Sequence, residues 1–204
     1  MNRKEHWNAV FTSRREEDVS WFEALPAVSI RLLEAAGLNE DTCVIDVGAG
    51  DSHLVDYLVA QGLHCLAVLD ISGAALQRAR ERLGAAAAAP IWIEADVTGE
   101  WTVKTMDIWH DRAVFHFLTD PDDRAAYRAH LLQTLTPGGA AIVATFAPDG
   151  PEKCSGLPVV RYSPETLSSE LGAAFELMES VPHVHMTPRG TTQSFQYSRF
   201  RRLP

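Results

Sequence analysis

The sequence has no long hydrophobic run. No apolar stretch approaches the roughly 20 residues that span a bilayer, and Met1 to Trp7 lack the apolar core of a secretory signal. Neither a membrane partner nor export is expected, so the chain is expected to be cytoplasmic. Cysteine is scarce: Cys43, Cys65 and Cys154 make an odd count of three without the close pairing of a zinc site. The expectation is free thiols in a reducing compartment, with Cys43 and Cys65 packed as small apolar residues. Basic charge is also short. Against 27 Asp and Glu stand 18 Lys and Arg, a formal net charge of −9, which disfavours a protein that neutralises nucleic-acid phosphates. Only Arg199, Arg201 and Arg202 cluster, and they lie at the C-terminal end, where solvated charge is the ordinary case. Linkers and internal repeats are missing too, so 204 residues are read as one domain with one core.

What is present is an alternation of short apolar runs with helical periodicity. Trp21, Leu25, Val28, Leu32 and Ala36 recur at helical spacing before Gly37, predicting a core-facing helix. Thr42 to Val47 is a β-branched run that leads directly into Gly48-Ala49-Gly50. A helix over Ser52–Ala60, a strand over Cys65–Leu69, a helix over Ala74–Leu83 and strands at Ile91–Ile93 and Met106–His110 follow. Then come a helix over Asp120–Leu135, a strand over Ala140–Phe146, a short helix near Pro164–Leu171, and two strand-like runs, Phe175–Val181 and Gln193–Phe200, joined as a hairpin through Pro188-Arg189-Gly190. Strands alternating with helices imply right-handed crossovers and a largely parallel sheet covered on both faces, an α/β, Rossmann-like three-layer sandwich.

In such sheets ligands sit beyond the carboxyl ends of the strands, which directs attention to Asp46-Val47-Gly48-Ala49-Gly50-Asp51-Ser52-His53. His53 stands where a dinucleotide fingerprint wants its third glycine, and Asp46 and Asp51 place carboxylates where phosphates would have to lie. Both features disfavour a pyrophosphate. They suit a nucleoside ligand with a cationic sulfonium and an amino group, S-adenosylmethionine. Asp70, followed by Ile71, ends the second strand twenty residues after Gly50, where an acid can accept the ribose hydroxyls. Asp96 ends the third strand, where it can take the adenine amino group while Val97 packs on the ring.

Through Val44 to Gly50, Asp70, Asp96-Val97 and the fourth-strand region, the chain resembles the class I S-adenosylmethionine-dependent methyltransferases. The resemblance implies a seven-stranded sheet whose last strand enters antiparallel. It also implies a cofactor, leaving as S-adenosylhomocysteine, held by Asp46, Gly48, Ala49, Gly50, Asp51, Ser52, Asp70, Ile71, Asp96, Val97 and Asp111. It divides the chain into an N-terminal lid and helix (1–40), a cofactor-binding core (41–147), and a substrate loop with a C-terminal hairpin (148–204). Asp111-Arg112-Ala113 is similar to the Asp-Arg-Gly stretch of the thiopurine and tellurite-resistance-type methyltransferases, with alanine for glycine.

Methyl transfer is an in-line displacement; thiols and metalloid anions need only positioning, whereas amines and hydroxyls must also lose a proton. His116, Asp111 and Arg112, just past the fourth strand, are the candidate catalytic residues, with His116 the candidate base and His110 equally readable as core. Phe146–Pro158, in the loop Ala147–Tyr162, is long for a connection and is expected to be a substrate lid, with Cys154 an incidental exposed thiol. The charged stretch between Trp7 and Trp21 is expected to be a second lid. His183 and His185 share one face of a strand, but no third ligand is near in sequence and no metal is expected. The expected partner is a small-molecule methyl acceptor, a thiol or metalloid, and the protein a monomer or weak dimer. A protein lysine methyltransferase and a non-catalytic cofactor-binding subunit are the alternatives.

Overall fold

The computed structural model describes residues 2–204. Helix α1 (Arg3–Ser13) opens on a capping box in which the Asn2 side chain accepts from the Glu5 N–H and Glu5 reaches back to the Asn2 N–H, so two otherwise orphaned donors are satisfied. Helix α2 spans only Ala27–Ala35, with Pro26 as its N-cap. The apolar stripe predicted to begin at Trp21 is thus cut short. A proline at the boundary has no N–H to continue a helix from the preceding turn, and it releases Trp21 for another use while Leu25 is left exposed.

Strand β1 (Val44–Val47) and strand β2 (Leu66–Asp70) are buried along their whole length, the pattern of parallel strands covered on both faces. Between them runs α3 (Leu54–Ala60), and after them α4 (Gly73–Leu83), capped by the Ser72 hydroxyl on the Ala75 N–H. Strands β3 (Ile91–Glu94) and β4 (Met106–Arg112) follow, then α5 (Pro121–Thr134), with Asp120 as cap and proline in its first turn. Strand β5 (Leu135–Phe146) is longer than expected and leads to a two-stranded ribbon, β6 (Lys153–Cys154) with β7 (Leu157–Pro158), inside the loop expected to be a lid. Helix α6 (Pro164–Leu171) precedes a hairpin of β8 (Phe175–Met186) and β9 (Thr192–Arg202), whose mutual pairing carries both strands beyond their apolar cores.

The seven-stranded sheet has the order β3-β2-β1-β4-β5-β9-β8, and β9 enters antiparallel between β5 and β8. This is the Rossmann-like architecture that the alternation implied. From β1 the chain builds outward through β2 and β3 and then returns to place β4 on the other side of β1. The crevice at that reversal lies above the carboxyl ends of β1 and β4, where register sets Asp46 beside His110 and Val47 beside Asp111.

One expectation fails in the core. Cys43 and Cys65 are not free: they form a disulfide, their Cα atoms 4.6 Å apart at the entries of the adjacent parallel strands β1 and β2. A separation of 22 residues hid the pair in sequence, but parallel pairing brings strand entries together.

Candidate functional site

A cavity opens above the carboxyl ends of β1, β2 and β4, and most of the residues singled out from sequence line it: Asp46, Gly48, Ala49, Gly50, Ser52, Asp70, Ile71, Asp96, Val97 and Arg112. Asp51, Asp111 and His116 do not. Gly48 and Gly50 both have positive φ, at 62° and 60°, and a Cβ on Gly48 would stand 1.8 Å from Val114 Cγ2. The glycine therefore serves a tight bend and a close approach together.

Asp70 is buried. Its Oδ2 accepts the Gly50 N–H at 2.8 Å and its Oδ1 the Ser72 N–H at 2.7 Å, so it ties the glycine turn to the start of α4. Desolvation pushes its pKa up to about 6, although the two backbone donors oppose the shift. Asp46 is buried too. Its Oδ1 receives His110 Nδ1 at 2.7 Å, while Oδ2 has no partner among the described residues. His110 Nε2 lies 2.9 Å from Ser29 Oγ, so both ring nitrogens are engaged. The cavity wall consequently presents an uncompensated carboxylate oxygen, the feature a cationic ligand would satisfy.

The residues outside the cavity are turned into the fold. Asp111 accepts the Val114 N–H at 2.8 Å, the Phe115 N–H at 3.1 Å and the Tyr127 hydroxyl at 2.7 Å. Burial pushes its pKa up to about 6 against these bonds. It caps the turn after β4 instead of facing a ligand. His116 Nδ1 accepts the Phe146 N–H at 3.2 Å, and burial, aided by the Arg112 charge, drives its pKa down to about 3. Asp51 pairs with Arg78 at 3.0 Å on the rear of the loop, and desolvation raises its pKa in spite of that pair.

Arg112 does face the cavity, but its guanidinium is held from behind. Nε donates to the Tyr197 hydroxyl at 2.9 Å, Nη1 to the Trp21 carbonyl at 3.0 Å, and Nη2 stands 3.1 Å from Glu23 Oε1. Burial works against its charge, yet Tyr197 and Glu23 outweigh burial and raise its pKa.

The N-terminal segment forms the roof. Trp7, Phe11 and Trp21 line the cavity with Phe117, their rings packed edge to face. Polar contacts lock this roof to the sheet: Ser72 Oγ donates to Asn8 Oδ1 at 2.8 Å, Lys4 pairs with Glu94 at 2.6 Å, Arg82 pairs with Glu16 at 3.2 Å, and Arg78 bonds the Arg14 carbonyl. Asn8 gave no signal in sequence, because its partner is 64 residues away. On the side of β5 and β9 the wall is Phe146, Phe195, Cys154 and Gln193. Cys154, expected to be exposed, is buried, and desolvation pushes its thiol up to about 12. The Oε1 of Gln193 is buried without a partner among the described residues.

Residues 45–141 match a family model described as a methyltransferase domain. Among curated proteins none matches the chain. Solved structures do. One, from work on the conversion of a disulfide bond into a thioacetal group during echinomycin biosynthesis, has 19% identity and a TM-score of 0.78, covering 99% of this chain and 93% of that one. The N-methyltransferase NodS from Bradyrhizobium japonicum, with S-adenosylhomocysteine, has 18% identity and a TM-score of 0.71 over 97% and 98% of the two chains. The 1,6-didemethyltoxoflavin-N1-methyltransferase of Burkholderia thailandensis, with its substrate and S-adenosylhomocysteine bound, has 18% identity and a TM-score of 0.68, covering 96% and 81%. The seven-stranded fold is the one these solved structures share, and the matched segment, residues 45–141, is similar to a methyltransferase domain.

Proposed function

We propose that the protein methylates a small, largely apolar acceptor that brings its own nucleophilic lone pair, a thiol or a heteroaromatic nitrogen. The observation that carries this reading is the acceptor end of the cavity, which combines an aromatic wall of Trp7, Trp21, Phe117, Phe146 and Phe195 with no free base. His110 has both ring nitrogens engaged, His116 lies behind the wall, and the Cys154 thiol is held protonated. Gln193 Oε1 is a polar atom free to meet the acceptor; an amide oxygen can orient a neighbouring N–H of the acceptor but cannot remove a proton, so a thiol reacts as the thiolate formed in solvent and a ring nitrogen through its unprotonated lone pair. Metalloid anions fit the same chemistry. The likeness to proteins that act at sulfur and at a ring nitrogen supports the acceptor class.

On this reading the cofactor supplies an electrophilic methyl, and the chain supplies binding, orientation and exclusion of water. Asp46 Oδ2 takes the α-amino group, the turn Gly48-Ala49-Gly50 with Ser52 admits the amino-acid portion, Asp70 accepts the ribose hydroxyls beside Ile71, and Asp96 with Val97 holds the adenine. Asp51 and Asp111 are positioning residues for the loops that carry this site, through Arg78 and through the Val114 and Phe115 amides. His116 props β5, and Arg112 holds the roof at Trp21.

The test is transfer of a labelled methyl group from S-adenosylmethionine into a cell extract separated into small-molecule and protein fractions. Label in the small-molecule fraction, reproduced with thiol or azaheterocycle panels, is the expected result. Label on protein lysine, or cofactor binding without transfer to either fraction, overturns it.

A further inference from the structure

Behind the roof, on the face away from the cavity, three side chains from two distant segments converge: Glu23, His183 and His185, each with one ligand atom, all within 4.8 Å of one another. We propose that they form a binding site for a divalent transition-metal cation of the zinc or cobalt type. The hairpin places the two imidazoles on one face of β8, and the segment between α1 and α2 brings the carboxylate that the sequence around the histidines lacks.

The ring of His185 carries the argument. Its Nε2 lies 2.8 Å from the Ser20 carbonyl, an acceptor only, so the hydrogen is on Nε2. In the neutral ring Nδ1 is then a lone pair, and it faces Glu23 Oε1 at 3.2 Å. A lone pair and a carboxylate oxygen at that distance repel unless a positive charge lies between them: a proton or a metal ion. His183 Nε2 approaches the same oxygen at 3.7 Å, so three donors meet at one point. An imidazole with its second nitrogen bonded to a backbone carbonyl is the orienting arrangement typical of histidine ligands. Two nitrogens and a carboxylate match zinc, and the cluster borders a surface cleft lined by Phe22, Leu25, Val184 and Met186, through which water can fill a fourth position. Arg112, 3.1 Å from Glu23 Oε1 on the cavity side, shares the carboxylate and is the charge against which the cation must bind. Because Arg112 also holds the Trp21 carbonyl, the ion would join the C-terminal hairpin to the roof of the cavity.

The test uses the full chain, treated with a chelator and then titrated with Zn(II) by calorimetry and with Co(II) by visible absorption. One saturable equivalent is expected, weakened at least tenfold in His183→Ala, whose partly exposed side chain can be removed without opening the core, and unchanged in His64→Ala, an exposed histidine in the bend before β2. His185→Gln, checked for folding by circular dichroism, should also lose the site. No saturable binding, which would assign the bridging charge to a proton, or equal affinity in wild type and His183→Ala, overturns the proposal.

Discussion

Replacing Gly48 by alanine is the sharpest test of the glycine turn after β1, because two separate penalties arise at one atom. The backbone there has a φ of 62°, a left-handed conformation that costs an L-residue about 1–2 kcal/mol. The added methyl would also lie 1.8 Å from Val114 Cγ2, far inside contact distance, and the next Val114 atom is only 3.2 Å away, so a rotation alone does not clear it. Overpacking of this kind costs roughly 1–3 kcal/mol. Gly48→Ala should therefore lose about 2–5 kcal/mol in urea unfolding. A double-mutant cycle separates the parts: Gly48→Ala with Val114→Ala should recover the share due to Val114 Cγ2, a coupling of about 1–2 kcal/mol, and leave in place the backbone share and the remaining Cβ contact. A Gly48→Ala variant as stable as the parent, or a cycle without coupling, would refute the close approach of the two loops.

Asp70→Ala should weaken S-adenosylmethionine binding by about 1.5–3 kcal/mol in calorimetry, the scale of a hydrogen bond to a charged group, and unchanged affinity would remove Asp70 from the site. His116, held near a pKa of 3 in the fold, is neutral there and charges only on unfolding, so stability is present above the unfolded pKa of about 6.5 and is lost as pH falls toward the folded value. Against His116→Asn, the parent should lose about 2 kcal/mol more between pH 7.5 and 5, read from paired urea titrations; parallel curves would contradict the neutral buried ring. The same variant should leave the pH profile of kcat/KM without a new or missing limb near neutrality. Reduction of the Cys43–Cys65 bridge, which closes a loop of 22 residues, should cost about 3 kcal/mol, and unfolded protein without reductant should titrate one thiol instead of three.

The order of strands and helices, the crevice, and the carboxylates that line it were legible along the chain because each depends on local pattern: β-branched runs for β1 and β2, and acids at the strand ends Asp70 and Asp96. Parallel topology then places strand ends together without further information. The direction in which a residue faces was not local. Asp111 and Asp46 are both acids on paired strands, yet Asp111 caps the Val114 and Phe115 amides with the Tyr127 hydroxyl closing over it, whereas Asp46 meets His110 through one oxygen and leaves the other free in the cavity. His116 reads as a base by type and position, but enclosure by the strand-end packing removes its basicity.

By itself the sequence determined the α/β alternation, the glycine turn and the acids that suit a cationic nucleoside, since propensity and charge act through neighbours in the chain. Tertiary structure decided what depends on contacts between distant segments: the Cys43–Cys65 bond, Asn8 on Ser72, the roof of Trp7 and Trp21, and the approach of Glu23 to His183 and His185. The physical reason is that burial and partner geometry, which set pKa and donor availability, exist only after residues far apart in the chain have packed together.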